Sequence, residues 1–325
     1  MAAVVDPASK APSAELIELR ELRSADLADL LKEETAVWSE SLDWDFRGSA
    51  ELVRRFLDQR SLTGYALAIN EEVLGYSYCV HDEHKGLIGD LYVRRAFAAP
   101  EHERRLLSAV VELLMRTPYV TRIETQLMML GPAVEPLSGA RFLQAFQRNF
   151  MRIGLDGVPS LRPREMAGVH FATWEEWHQE SAAYLIPEAY RGHIDSRIND
   201  QYDTVAGARR FLYNIVQYPG CGTFYRPASL VALDRKTGQM AGAALASMVA
   251  PEAGHITQIC VAPSRRGTGL GYELLRRSLS ALQKAGFGAA SLTVTAANRE
   301  AVALYERMGF QTIKRFDALV WDGFG

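Results

Sequence analysis

The stretch whose reading decides the fold is ITQICVAPSRRGTGLGYELLRRSLSALQKA, from Ile256 to Ala285. It opens as a β-branched run and passes through Arg265 and Arg266 into Gly267, Gly269 and Gly271. It then continues with Leu270, Leu274, Leu275, Leu279 and Leu282 at helical spacing, and Gly286 follows as a stop. A strand that runs straight into a helix leaves the first turn of backbone N–H groups unpaired. Together with the helix dipole, those groups favour an anion. Glycines let a phosphate reach the main chain with no Cβ in the way. No Lys-Ser/Thr pair follows the last glycine, which speaks against a Walker-type nucleotide loop. A surface loop with solvated arginines is the plainer reading of the same residues.

Downstream, Ser291 to Thr295 reads as a strand. Asn298 can cap a helix on which Ala301, Leu304, Tyr305 and Met308 share a face, and Phe310 to Val320 returns as strand. Upstream, Thr173 to Ala183 and Ala206 to Gln217 read as helices. Ser229 to Asp234 and Met240 to Val249 flank the turn DRKTG, and His255 to Val261 is the strand that enters the glycine loop.

The first half repeats this order. IGDLYVRRAFAAPEHERRLLSAVVELLMRT, Ile88 to Thr117, aligns without gaps on the decisive stretch: Ile256 lies 168 positions after Ile88, and Leu274 168 after Leu106. Two copies of one fold are expected. In the first copy Ala98, Glu101 and Glu103 stand opposite Arg266, Gly269 and Gly271, so two carboxylates replace two glycines and that corner repels an anion. The Gly- and Pro-rich segment Gly154 to Gly168 is the natural boundary. The division expected is a loose tail over residues 1–14, a degenerate domain over 15–158 and a site-bearing domain over 159–325.

Composition narrows the function. A chain of 325 residues with 48% hydrophobic and 23% charged residues is an ordinary globular one, and its net charge of -3 supplies no general field for nucleic acid or membrane. The three cysteines, Cys79, Cys221 and Cys260, suggest neither a disulfide framework nor a metal site. No basic-then-apolar leader opens the chain and no apolar run approaches the ~18 residues of a membrane span. A cytoplasmic protein without metal is expected.

Taken together, the motifs resemble those of the GNAT superfamily of acyl-CoA-dependent N-acyltransferases. Arg266-Gly267-Thr268-Gly269-Leu270-Gly271 fits that family's pyrophosphate loop, and Asn298 through Tyr305 to Gly309-Phe310 fits its second motif at the expected distance. The resemblance implies an α+β protein of two tandem GNAT-type domains, each a mixed, mostly antiparallel splayed sheet flanked by helices. This organisation is similar to that of mycothiol synthase. It implies acetyl-CoA as cosubstrate, held at its diphosphate by residues 266–271 and along its pantetheine arm by the main chain of Ile259, Cys260 and Val261, with Asn298 beside the arm. An N–H of that strand would polarise the thioester carbonyl. Tyr305 would stand by the sulfur and protonate the departing thiolate. By position alone Tyr305, on the apolar face of its helix, reads as a core tyrosine and Asn298 as a simple N-cap; it is the family motif that favours the catalytic reading of Tyr305.

For the general base the resemblance points to His255, which carries an intrinsic pKa suited to the task. The alternatives are a solvent-facing histidine at a strand start and a water chain. Gln258, where many relatives have a carboxylate, cannot take a proton. Cys260 should point away from His255 if the strand alternates, and reads as a small buried filler. The acceptor should meet the stretch Trp174 to Tyr225, which carries eight Trp and Tyr residues, Tyr190 and Tyr202 among them, and Asp195, Asp200 and Asp203. The reaction expected is direct transfer of acetyl to a primary amine of a small molecule or peptide, by a monomer or homodimer. Other acyl donors, O- or S-acceptors, and an acyl-CoA sensor without turnover are the rivals.

Overall fold

The computed structural model describes residues 14–70, 72–130, 136–218 and 220–325. Most of the expected tail, residues 1–13, lies outside the described residues. The described residues divide into two compact units: those within 14–36, 50–143 and 321–325 form one, and those within 37–49 and 144–320 the other.

The first unit holds the strands β1 (Glu15–Glu18), β2 (Thr63–Ile69), β3 (Glu72–Asp82), β4 (Lys85–Val93) and β5 (Arg122–Gln126), side by side in that order. Its helices include the first part of α1 (Ala28–Leu42), most of α2 (Arg47–Asp58), and α3 (Pro100–Met115). The pairs β1·β2, β2·β3 and β3·β4 are antiparallel, and β4·β5 is parallel.

The second unit contains β6 (Leu143–Gly154), β7 (Val169–Thr173), α4 (His178–Tyr190), α5 (Ile194–Ile198), α6 (Val205–Gln217), β8 (Thr223–Phe224), β9 (Leu230–Asp234), β10 (Met240–Ala250), β11 (Ala253–Val261), α7 (Leu270–Lys284), β12 (Ala289–Thr295), α8 (Arg299–Arg307) and β13 (Gln311–Asp322). Its sheet runs β13-β6-β12-β11-β10-β9-β7, with β8 on β10.

The two units repeat each other in detail. In the first, the parallel pair covers Lys85 to Ile88 and stops; in the second it covers Ala253 to Ile256, 168 positions later, and stops. Against its antiparallel neighbour each of these strands, β4 and β11, then carries one extra residue: Gly89 between the pairs made by Ile88 and Asp90, and Thr257 between those of Ile256 and Gln258. The buried residues of α3, Leu106, Leu107, Val110, Val111 and Leu114, fall at the same offset from Leu274, Leu275, Ser278, Leu279 and Leu282 of α7. All five leucines of α7, these four and Leu270, are buried, and truncating any one of them to alanine would cost about 2–5 kcal/mol. That stripe fixes α7 against the sheet, and therefore fixes where its N-terminus points.

Two expectations need revision. The helix expected from Thr173 begins only at His178, because Thr173 pairs with Leu230 as the end of β7 and the N–H of Trp174 donates to Ser229 O at 2.7 Å. The units divide after Leu143, ahead of the Gly154–Gly168 stretch. β6 is the reason: it pairs residue by residue with β12, from Arg148 opposite Thr295 to Gly154 opposite Ala289. The Gly- and Pro-rich stretch is itself folded, with Leu155 and Val158 buried in the core beneath α7.

Candidate active site

β11 stays paired with β10 to Val261, but parts from β12 after Ile256. On the β12 side, Thr257 to Val261 therefore offer main-chain groups to something other than a strand. The bulge at Thr257 also changes which way the side chains face. Ile256 and Ile259 both pack on the α7 side, a spacing of three that strict alternation forbids. Cys260 instead packs among Trp174, Leu185 and Leu245. The expectation that Cys260 points away from His255 is thus overturned, since the extra residue puts them on one face. Cys260 is buried as expected, and burial pushes its thiol up to about 12.

The glycine loop lies at the end of this strand. A turn over Pro263–Arg265 leads to Gly267 at φ +72° and Gly269 at φ +89°, both in the left-handed region, and α7 starts at Leu270 with no side chain capping its N-terminus. Thr268 donates its hydroxyl to Arg265 O at 2.7 Å and closes the loop. Arg266 bonds to Ala189 O, and Arg265 pairs with Asp234. Both loop arginines are thus tied to protein groups.

A third arginine covers the loop. A Cβ on Gly269 would meet Arg164 Nη1 at 2.8 Å and Cδ at 3.0 Å, and the Arg164 guanidinium lies 5.2 Å from the centre of the Tyr272 ring. Two bonds strap this segment to α7: Tyr272 Oη donates to Arg162 O at 2.9 Å, and Arg164 N to Glu273 Oε2 at 3.0 Å. Burial alone would raise the carboxyl of Glu273, but bonds from Arg276, Arg277 and the Arg164 N–H hold it below its ordinary value. Among the described residues the guanidinium of Arg164 has no hydrogen-bond acceptor, although it stands at the positive end of the α7 dipole. An anion suits that place.

Tyr305 projects from α8 and is 6% exposed. Burial, with the negative charge of Asp195 added and Arg148 opposing, raises its hydroxyl well above the ordinary tyrosine value, so it keeps its proton. Asn298 caps α8: its Oδ1 accepts the Ala301 N–H at 3.3 Å, and its amide nitrogen is 3.2 Å from His193 Nε2.

His255 is 7% exposed, which removes the solvent-facing alternative. Its Nδ1 is 2.8 Å from Ser291 Oγ, Trp44 meets it edge-on at 5.1 Å, and Phe150 stacks at 5.8 Å. Burial pushes it down to about 4, so it is neutral at pH 7.

The acceptor-side helices bring further groups to the parting strands. Tyr190, the last residue of α4, donates to Ile259 O at 3.3 Å and stacks on Tyr202 at 4.4 Å. Asp195 of α5 accepts from Thr295 Oγ1 and lies 3.3 Å from Arg148 Nη1, which itself donates to Thr295 Oγ1 at 2.9 Å. Tyr190 and Asp195 belong to the aromatic and acidic stretch already noted. Arg148, Arg164, Thr295 and Trp44 carry no local signal in the sequence, since each arrives from outside the motifs. Among the described residues no group of three or more His, Cys, Asp or Glu could hold a metal, and no helix is long and apolar enough to cross a membrane.

Residues 174–310 match the Acetyltransferase (GNAT) family model. They form a GNAT acetyltransferase domain. Over 82 residues the chain is 39% identical to the [Ribosomal protein bS18]-alanine N-acetyltransferase of Escherichia coli strain K12, and equally to that of Shigella flexneri. That match covers 25% of this chain and spans about half the length of the relatives, 55%. Solved GNAT structures extend the likeness to the whole chain. A GCN5-related N-acetyltransferase from Sphaerobacter thermophilus matches with a TM-score of 0.65 at 16% identity, covering 94% of this chain and 95% of its own. A tandem GNAT protein from the clavulanic acid biosynthesis pathway matches with a TM-score of 0.63 at 16% identity, covering 96% and 99%. At such identity these show the fold. The tandem GNAT architecture thus accounts for both units.

Proposed function

We propose that the chain transfers acetyl from acetyl-CoA to a primary amine of a small molecule or peptide, by direct attack in a ternary complex. The observation that carries this reading is the parting of β11 from β12 after Ile256, with the capless glycine loop following β11 and a buried, protonated tyrosine near the parted strands. The cosubstrate supplies the acetyl thioester. Main-chain N–H groups over residues 266–271 hold its diphosphate, Ile259, Cys260 and Val261 hold the arm, and Asn298 lies beside it. The fit is supported by Gly269, where any side chain would collide with Arg164, and by Gly267, whose missing Cβ faces open space.

The amine nitrogen bonds to the acetyl carbon as the carbon–sulfur bond breaks. Tyr305 gives its proton to the sulfur, and water removes the proton from the attacking nitrogen. His255 serves as frame: a buried histidine near 4, wedged between Trp44 and Phe150, is poorly suited to accept that proton. The first unit keeps the fold without the coenzyme, because Glu101 and Glu103 occupy the first turn of α3. The relatives that acetylate a ribosomal protein's alanine support a peptide amine among the acceptors. The protein works as a cytoplasmic monomer or homodimer, without nucleic acid, membrane or metal.

The test is calorimetry with coenzyme A, followed by thiol release from acetyl-CoA against amines, amino acids and peptides, corrected for the chain's own three cysteines. Heat of binding and amine-dependent release are expected. A chain that takes up no coenzyme would sink the reading.

A further inference from the structure

Two buried N–H donors on the acceptor side of the second unit have no hydrogen-bond partner among the described residues: Gln258 Nε2 and Arg148 Nε. Gln258 is 5% exposed, and its other amide atom, Oε1, lies 3.5 Å from the hydroxyl of Tyr190. Arg148 spends Nη1 on Thr295 and Asp195. A buried donor left without a partner costs about 1–3 kcal/mol, and more than nine in ten such groups in folded proteins are satisfied. Both lie on the face that α4 and α5 cover, where a bound acceptor would supply the missing partner.

Their positions say which substrate. Gln258 is on β11, two residues past the last pair with β12. Arg148 lies on β6 opposite Thr295, the last residue of β12. The donors therefore come from the two sides of the parting strands. Both face the α4–α5 layer, since one meets Tyr190 and the other Asp195. A partner for two N–H donors must offer an oxygen. Arg148 is already paired with Asp195, so no net positive charge is left to select an anionic acceptor, and a neutral carbonyl fits best.

We propose that Gln258 and Arg148 bind a carbonyl oxygen of the acceptor, so that the amine acetylated is an α-amino group next to a carbonyl, as at a polypeptide N-terminus or in an amino-acid amide. This rests on the acetyl-transfer reading and names its substrate class. Gln258 precedes Ile259, whose main chain lies along the coenzyme arm, so the bound carbonyl sits close to the reacting nitrogen.

The experiment compares alaninamide, alanine and isopropylamine as acceptors for the intact chain and for Gln258→Leu and Gln258→Glu. Isopropylamine replaces the carboxamide of alaninamide by a methyl group, and alanine presents a carboxylate instead; all rates are compared per unprotonated amine, because the carboxamide makes its neighbouring amine less basic. For the wild type, kcat/KM should be at least about 30-fold higher with alaninamide than with isopropylamine, a discrimination well within reach of a hydrogen-bonding site. Alanine should fall between them. Both variants should shrink the alaninamide advantage about tenfold with KM for acetyl-CoA unchanged; Gln258→Glu keeps the side chain's shape and replaces the donor by an oxygen, and Gln258→Leu removes the donor without adding a charge. The proposal is overturned if isopropylamine or alanine is the best acceptor, if both variants slow all acceptors equally, or if KM for acetyl-CoA moves instead, which would place the donor on the thioester. Absence of coenzyme binding by the wild type is a different result, and would remove the acetyl-transfer reading itself.

Discussion

The hydroxyl of Tyr190 lies 3.3 Å from the main-chain oxygen of Ile259, on the part of β11 that β12 has left. The last residue of α4 is thereby tied to the strand expected to carry the coenzyme arm. Tyr190→Phe keeps the ring stacked on Tyr202 and removes only the hydroxyl. A loss of about 1 kcal/mol is expected, or roughly 2–4 °C in thermal midpoint for a domain of this size, read by calorimetric melting. An unchanged midpoint would show that the bond contributes nothing.

Tyr305→Phe should lower kcat about 10²-fold and leave KM for acetyl-CoA near its wild-type value, because the hydroxyl acts in the transition state and not in binding. Burial and Asp195 raise this hydroxyl. Its ionisation should therefore produce no fall in kcat between pH 7 and about 9. A wild-type rate in the phenylalanine variant removes Tyr305 from the mechanism.

Gly269 separates two effects. Gly269→Ala places a Cβ at φ +89° and 2.8 Å from Arg164 Nη1, and should cost about 1 kcal/mol of stability while weakening coenzyme binding. Gly269→Glu copies Glu101 of the first unit and should abolish binding, since it adds a carboxylate at the proposed diphosphate site. Titration calorimetry with coenzyme A checks both, and tight binding by the glutamate variant would mean that the loop is not the diphosphate site.

Arg164→Ala should raise KM for acetyl-CoA about tenfold with kcat little changed, the pattern of a group that binds ground and transition state alike. The defect should shrink as salt rises, because added ions screen the charge in the wild type. Equal kinetics at low salt would leave Arg164 as a surface arginine resting on Tyr272.

His255 makes the fold acid-sensitive. Its folded value is lowered from 6.5 to about 4 by burial, so the unfolded chain binds the extra proton first. The stability is fully present above pH 6.5 and is lost as pH falls from there towards 4, by at most about 3 kcal/mol. Urea unfolding at pH 7 and pH 4.5 should show a smaller loss in His255→Gln than in the wild type. An equal loss would place the acid sensitivity elsewhere.

Much of this was legible before any coordinates. The glycine loop, the α7 leucines, Asn298 and Tyr305 lie in local patterns, where spacing alone states the face and the cap. The 168-residue repeat could be read because both copies need the same buried positions. The domain boundary was less legible, because glycine and proline mark where a chain bends and not which sheet a neighbouring strand joins. β6 joins β12, which is a long-range choice.

What the sequence by itself determined is one fold repeated twice, with a glycine loop opening the helix of the second copy only, since helix starts, glycine conformations and apolar stripes are properties of contiguous residues. Only the tertiary structure decided the orientation of Cys260, because one extra residue at Thr257 reverses every facing beyond it and no local pattern announces a bulge, and the burial of His255, because Trp44 and Phe150 come to it from other elements. It also decided that Arg148, Arg164, Thr295 and Trp44 meet the motifs, because their partners lie on other elements and only packing brings them together.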